Sequence, residues 1–155
     1  MEGFMKNEVQ VRLAQSSEQR ELEELQLRAS LNNPGDREAL LTNPDAVALP
    51  IEQINAGQVF VADAGGLIKG FAAILAREDG NLELDALFVE PDTWRQGIGR
   101  ELVGYCVQAA RAQGARAIHV VGNPHAEGFY KACGFEVLGT EKTQFGTGLL
   151  MRRLL

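Results

Sequence analysis

The spacing of apolar residues changes several times along this chain, and each change marks an element. Val9, Val11 and Leu13 alternate with polar residues, the two-residue repeat of a half-buried strand. Leu22, Leu25 and Ala29 then recur at helical spacing, with Glu21, Glu23 and Glu24 on the outer face. This predicts a helix over residues 18–29, with Ser16 or Ser17 as its N-cap. Residues 32–50 carry no such period. They are broken by Pro34-Gly35, Pro44 and Pro50 and accommodate a short helix over 36–41; long irregular connections of this kind are often functional.

Apolar runs at 59–62 and 67–76, separated by Ala64-Gly65-Gly66, read as a hairpin. After the Asp79-Gly80 turn, residues 82–89 form a third strand, ended by Pro91. Alternation there puts Leu82, Leu84 and Ala86 on one face and Glu83, Asp85 and Leu87 on the other. Leu102, Val103, Cys106, Val107 and Ala110 stripe a helix over 99–113, with Gly114 at its C-cap. A strand over 117–121, a helix over 126–133 and two strands, 135–138 and 149–154, read as a pair, follow. The order β-α-α-β-β-β-α-β-α-β-β is that of a mixed α/β fold, expected as one domain over residues 1–155.

Composition narrows this further. A chain of 155 residues buries a core without covalent staples, and 45% hydrophobic with 23% charged residues is ordinary globular usage. The formal charge of −6 argues against a nucleic-acid partner gripped by overall charge. The imbalance is local: residues 1–80 hold 7 basic and 13 acidic side chains, residues 81–155 hold 8 of each. The longest apolar run, residues 70–76, is strand length and far short of the ~20 residues of a membrane helix. The first ten residues carry Glu2, Lys6 and Glu8 and lack the apolar stretch of a signal peptide. Cys106 and Cys133 show no metal-binding spacing, so no metal and a reduced, cytoplasmic setting are expected.

The chemistry centres on the strand-to-helix turn Val89-Glu-Pro-Asp-Thr-Trp-Arg95-Gln-Gly97-Ile-Gly99-Arg100. Glycines permit tight backbone conformations there, and a helix start adds unpaired N–H groups and partial positive charge, an anion site suited to phosphates. A P-loop is excluded, because the Gly-Lys-Ser/Thr triplet is absent. A dinucleotide loop is excluded too, because its third glycine would fall at Leu102.

A second segment, Asn123-Pro-His-Ala126-Glu-Gly-Phe129-Tyr130-Lys-Ala-Cys-Gly134-Phe135, follows the next strand. In this order and separation the two segments resemble the GNAT superfamily of acyl-CoA-dependent N-acetyltransferases. Gly97-Ile-Gly99 looks like that family's pyrophosphate loop and Asn-x-x-Ala-x-x-Phe-Tyr-x-x-x-Gly-Phe like its second core motif. Val89-Glu-Pro91 resembles the Val-x-Pro ending of the strand before the loop, and the element order matches over nearly the whole chain. One departure is Trp94, which stands where the family has Gln or Arg.

The resemblance implies a single-domain fold with a mixed, mostly antiparallel sheet, in which a splayed parallel strand pair holds acetyl-CoA as co-substrate. It implies that the backbone of Leu87, Phe88 and Val89 pairs with the pantetheine arm, with the Val89 N–H facing the thioester carbonyl. Arg95, Gln96, Gly97, Ile98, Gly99 and Arg100 would wrap the pyrophosphate, with Lys131 a further cation for the polyanion, and Asn123 would bond the arm. Tyr130 matches the acid that protonates the leaving thiolate. An amine must lose a proton before it attacks, and Glu83 falls where the histone-acetylating branch carries its base. Asp85, about 7 Å along the same strand face, and His119 on the neighbouring strand are the other candidates.

His125 reads as surface. Cys106 and Cys133 read as core without a basic partner, which disfavours a covalent acetyl-cysteine and favours direct transfer in a ternary complex. The acceptor is expected to be a small-molecule amine, with cationic character suggested by the acidic half. A protein or peptide amine, and a non-catalytic acyl-CoA-binding module, are the alternatives. A homodimer is an assembly the resemblance allows. No membrane and no nucleic-acid partner are expected, and the acceptor pocket should form around residues 22–54.

Overall fold

The structure is a computed structural model that describes residues 8–33, 36–42, 47–143 and 146–155. The Pro34-Gly35 and Pro44 breaks and the first seven residues lie outside them. In chain order the elements are β1 (Gln10–Leu13), α1 (Gln19–Leu31), α2 (Asp36–Thr42), α3 (Ile51–Asn55), β2 (Val59–Ala64), β3 (Leu67–Ala76) and β4 (Leu82–Val89). Then come α4 (Ile98–Ala112), β5 (Ala117–Gly122), α5 (Glu127–Ala132), β6 (Glu136–Thr143) and β7 (Gly146–Leu154). The strands form one seven-stranded sheet in the order β1-β2-β3-β4-β5-β7-β6, antiparallel except for β4 beside β5.

Two expectations about the first half change. Neither Ser16 nor Ser17 caps α1; a 3-10 turn over Ser16–Glu18 precedes it, capped by Gln15, whose N–H donates to the Glu18 carboxylate. The five-residue helix α3 was not predicted, because one turn is too short to show a period and Pro50 reads as a break; in the structure Pro50 is its N-cap.

The sheet is covered on both faces. Leu102, Val103, Cys106, Val107 and Ala110 of α4 are all buried against Phe60, Ala62, Ala72, Ile74, Leu82 and Leu84. On the opposite face Leu22 and Leu25 of α1 pack with Val59, Val61, Phe71 and Ala73. Both leucines are fully enclosed, which is worth about 2 kcal/mol each. Strands β2 and β3 therefore have no wet face, and this explains the continuous apolar run in β3.

The site depends on β4. Ala73 pairs with Ala86 but Ile74 pairs with Leu84, so Asp85 is the extra residue of a β-bulge. The bulge inverts the faces. Leu82 and Leu84 lie in the α4-side core; past Asp85 that side is taken by Leu87 and Val89, while Ala86 and Phe88 pack toward α1 and α3. Simple alternation, which grouped Ala86 with Leu82 and Leu84 and set Leu87 beside Glu83 and Asp85, is corrected accordingly.

Pairing of β4 with β5 is confined to Leu82↔Ile118 and Glu83↔His119. Beyond these pairs the strands part, because a bulged strand bends away from its neighbour. The Glu90 N–H donates to the Lys69 carbonyl at 2.8 Å. Alternation along the strand then turns the Phe88 N–H toward β3 as well and the Leu87 and Val89 N–H groups into the gap. Amide exchange measured by NMR should find Phe88 and Glu90 slow, and Leu87 and Val89 fast in the free protein. Equal protection of all four would contradict an open β4 edge.

Candidate active site

A cleft of about 710 Å³ opens where β4 and β5 separate. Its walls are β4 from Leu84 to Val89, the turn into α4, the end of β5 from Val120 to Asn123, and Phe129 and Tyr130 of α5, with Ala29, Asn33 and Asp36 at one side.

The turn into α4 is built for an anion. Gly97 is the N-cap at φ 86°, in the left-handed region, and Arg95 also lies there at φ 71°. The first backbone bond of the helix runs from the Glu101 N–H to the Gly97 carbonyl at 3.0 Å. The N–H groups of Ile98, Gly99 and Arg100 precede it and face the entrance of a fifteen-residue helix with its partial positive charge. Arg95, Gly97, Ile98, Gly99 and Arg100 all line the cleft; Gln96 does not, and its N–H turns back to the Thr93 carbonyl. Trp94, 41% exposed, donates its indole N–H to the Val89 carbonyl at 2.8 Å. It thereby occupies the one acceptor on the open edge nearest the turn, and leaves the Leu87 and Val89 donors facing the gap.

At the other side of the cleft Tyr130 is buried, its ring packed edge-on against Phe129 and Phe135. Burial raises the phenol's pKa, and the fields of Cys133, Asp36 and Cys106 raise it further, so it stays protonated. Gly122 makes the room: a Cβ there would stand 2.6 Å from Met151 Cε and 3.2 Å from Tyr130 Cε2. The Asn123 Oδ1 accepts the His125 N–H, capping the turn before α5, and its Nδ2 donates to Asp36 Oδ1 at 2.9 Å. Asp36 Oδ2 accepts from Asn33 Nδ2 at 2.9 Å.

Asp36 is the residue the sequence did not reveal. It directly follows Pro34-Gly35 and opens a short helix, where an Asp reads as a helix-start residue. Its pairing with Asn123, 87 positions away, exists only in the fold.

The base candidates are separated. Asp85 lines the cleft, is exposed, and has Gln53 Nε2 at 3.5 Å. Glu83 does not line it: the strands are still paired at Glu83, and its carboxylate accepts from Arg77 Nη1 at 2.8 Å. His119, its partner across the pair, is also outside the lining, and burial lowers its pKa. His125 is exposed, as expected. Lys131 is off the cleft and ion-paired with Glu127. The cysteines are buried and free. Burial pushes the Cys106 thiol up to about 12 and raises that of Cys133, although Cys133 does have basic neighbours, Arg100 and Arg153, contrary to expectation.

The sequence profile of the acetyltransferase (GNAT) family matches residues 20–135. The chain belongs to that family. Membership implies an acyl-CoA-dependent acetyltransferase. No curated protein sequence matches the chain significantly. Among solved structures, a GCN5-related N-acetyltransferase from Rhodopseudomonas palustris superposes with a TM-score of 0.78 at 19% identity, covering 95% of this chain and 96% of the other. The PaiA N-acetyltransferase from Thermoplasma acidophilum, solved in complex with coenzyme A, superposes at 0.75 with 16% identity, covering 96% and 99%. A ribosomal-protein-alanine N-acetyltransferase from Brucella melitensis superposes at 0.70 with 23% identity, covering 94% and 99%. These likenesses establish the GNAT fold for the whole described chain.

The residues present suit a long, polyanionic thioester. The turn offers backbone donors and two arginines for phosphates, and the open β4 edge offers two N–H groups to an extended amide chain. No helix among the described residues is long and apolar enough to cross a membrane.

Two measurements check this site. Trp94 is the single tryptophan of the chain and lies in the cleft wall, so titration with acetyl-CoA should change its fluorescence saturably; an unchanged spectrum with binding shown by calorimetry would displace the ligand from this cleft. Arg95→Gly should stabilise the free protein by about 1 kcal/mol, since it removes a left-handed non-glycine, while weakening acetyl-CoA binding if the guanidinium meets a phosphate. Thermal melts with and without acetyl-CoA separate the two effects.

Proposed function

We propose that this GNAT protein is an N-acetyltransferase that moves an acetyl group from acetyl-CoA to the primary amine of a small molecule, by direct attack in a ternary complex. The observation that carries the reading is one cleft holding an anion-binding turn at one side and a buried, protonated tyrosine at the other, along a strand edge with free donors. Acetyl-CoA supplies an activated acyl group on a good leaving thiolate. Leu87 and Val89 hold the arm, Arg95, Gly97, Ile98, Gly99 and Arg100 the pyrophosphate, and Asn123 the end of the arm.

The Leu87 N–H, the open-edge donor farther from the pyrophosphate turn, serves the oxyanion in place of the expected Val89, which lies beside the turn with its carbonyl bonded to Trp94. Tyr130 serves as acid: its phenol, protonated at neutral pH and with its pKa raised further by burial, lines the cleft. The raised thiol pKa of both cysteines supports direct attack over an acetyl-cysteine. Short polar side chains, Asn33, Asp36 and Asn123, bound the acceptor side and suit a single amine head group. The charge of −6 favours a cationic acceptor and opposes a nucleic-acid partner. The free thiols fit a reducing cytoplasm, and a homodimer is the assembly to test first.

Incubation with acetyl-CoA and a panel of primary amines, including an alanyl peptide, should release free thiol with the small amines. Release with the peptide alone would make the protein a protein N-acetyltransferase. Saturable acetyl-CoA binding without thiol release on any amine would make it a binding module. Tyr130→Phe should lower kcat about 100-fold on the best amine with little change in acetyl-CoA affinity. Gly122→Ala should lower it as well, by displacing the Tyr130 ring, and should cost about 1–3 kcal/mol of stability through overpacking.

A further inference from the structure

Two carboxylates line the cleft among the described residues, and they differ in kind. Asp85 sits exposed in the β4 bulge. Asp36 is half-buried at the cleft wall, held from two directions by neutral amides, Asn123 from the end of β5 and Asn33 from beyond the end of α1. Among the described residues it makes no ion pair, whereas Glu83 is bonded to Arg77 and Glu90 to Arg28. A carboxylate offers about four acceptor positions, and the two amides occupy two. What remains is a desolvated negative charge facing the cavity with room for a cationic donor, and amide hydrogen bonds compensate such a charge only in part.

We infer that Asp36 is the acceptor-side catalytic carboxylate: it holds the ammonium group of the substrate and takes one of its protons, so that the neutral amine can attack. The inference rests on the N-acetyltransferase reading above and names the missing base in it. Burial raises the pKa of Asp36, against the lowering effect of the Asn123 and Asn33 bonds and of His125, which suits a proton acceptor. Asp36 and Tyr130 both line the same cleft.

The step balances as follows. The ammonium passes one proton to Asp36 and becomes a neutral amine. Its lone pair forms the C–N bond to the thioester carbonyl carbon. The C–S bond then breaks, and sulfur leaves with the electron pair and the Tyr130 proton. The second nitrogen proton restores the Tyr130 phenol, and Asp36 returns its proton to solvent. Asn33 and Asn123 are positioning residues for the carboxylate in this scheme.

The test compares benzylamine, an ammonium at pH 7, with aniline, which is neutral at pH 7 and needs no base to begin attack. In Asp36→Asn, which keeps the shape and an oxygen acceptor for Asn123, kcat/KM for benzylamine should fall about 100-fold. The aniline value should change less than about threefold, and KM for acetyl-CoA should not change. Asp36→Glu, which keeps the charge, should recover part of the benzylamine rate. Equal losses on both amines, or no loss on benzylamine, would overturn the role of Asp36 while leaving the acetyltransferase reading intact. Failure of the wild type to acetylate any amine of the panel, benzylamine and aniline included, with acetyl-CoA bound, would remove that reading and the role together. Melting curves and the Trp94 titration of each variant show whether a lost rate is a lost fold.

Discussion

A parallel strand pair that stops pairing half-way leaves backbone amides without partners, and in this protein everything functional is arranged around that edge. Buried N–H groups must find acceptors. Past Glu83 the donors of β4 alternate between β3 and an empty gap. The bulge at Asp85 both bends β4 away from β5 and decides which residues of β4 face which core. A ligand with a run of amides can supply the missing strand, and this converts a cost of the fold into a binding site.

The two ends of the gap are made by different means. At one end the helix start and the left-handed Gly97 present backbone donors, so side-chain identity matters little, and Trp94 can replace a polar residue while bonding the Val89 carbonyl instead. At the other end side-chain identity matters in detail. Tyr130 has Gly122 for space and Phe129 and Phe135 for a wall, and burial raises its pKa further above neutrality. Asn123 binds the turn before α5 and Asp36 at once, tying α2 to the end of β5. The Arg28–Glu90 ion pair at 2.6 Å makes a comparable tie between α1 and the residue after β4. Only weak stabilisation is expected from so exposed a pair.

Much of the fold could be read along the chain. The stripes of α1 and α4, the hairpin of β2 and β3, the closing strand pair and the glycine turn all follow from spacing and turn chemistry, and the paired motifs pointed to the GNAT family that the family profile and superpositions establish. Two of the misses share one cause. Periodicity is a sum over several residues, so it fails where an element is one turn long, as in α3, or where one inserted residue changes the phase, as at Asp85. Glu83 falls where the histone-acetylating branch of the family carries its base, yet a position along the strand does not show that the strands are still closed there, with Arg77 across the carboxylate.

The sequence by itself therefore determined what local backbone makes: a helix start with open N–H groups, a strand stopped before Pro91, and a tyrosine in a short helix. These depend on residues within one or two turns of each other. The tertiary structure alone decided which carboxylates reach the cleft, Asp36 and Asp85 but not Glu83. The answer depends on where two strands part and on which helix closes the opening, and it joins Asp36 to Asn123 across the chain. Burial and electrostatic field are properties of the assembled surroundings, so no reading of Asp36 in its own neighbourhood could have assigned it a place in the cleft wall.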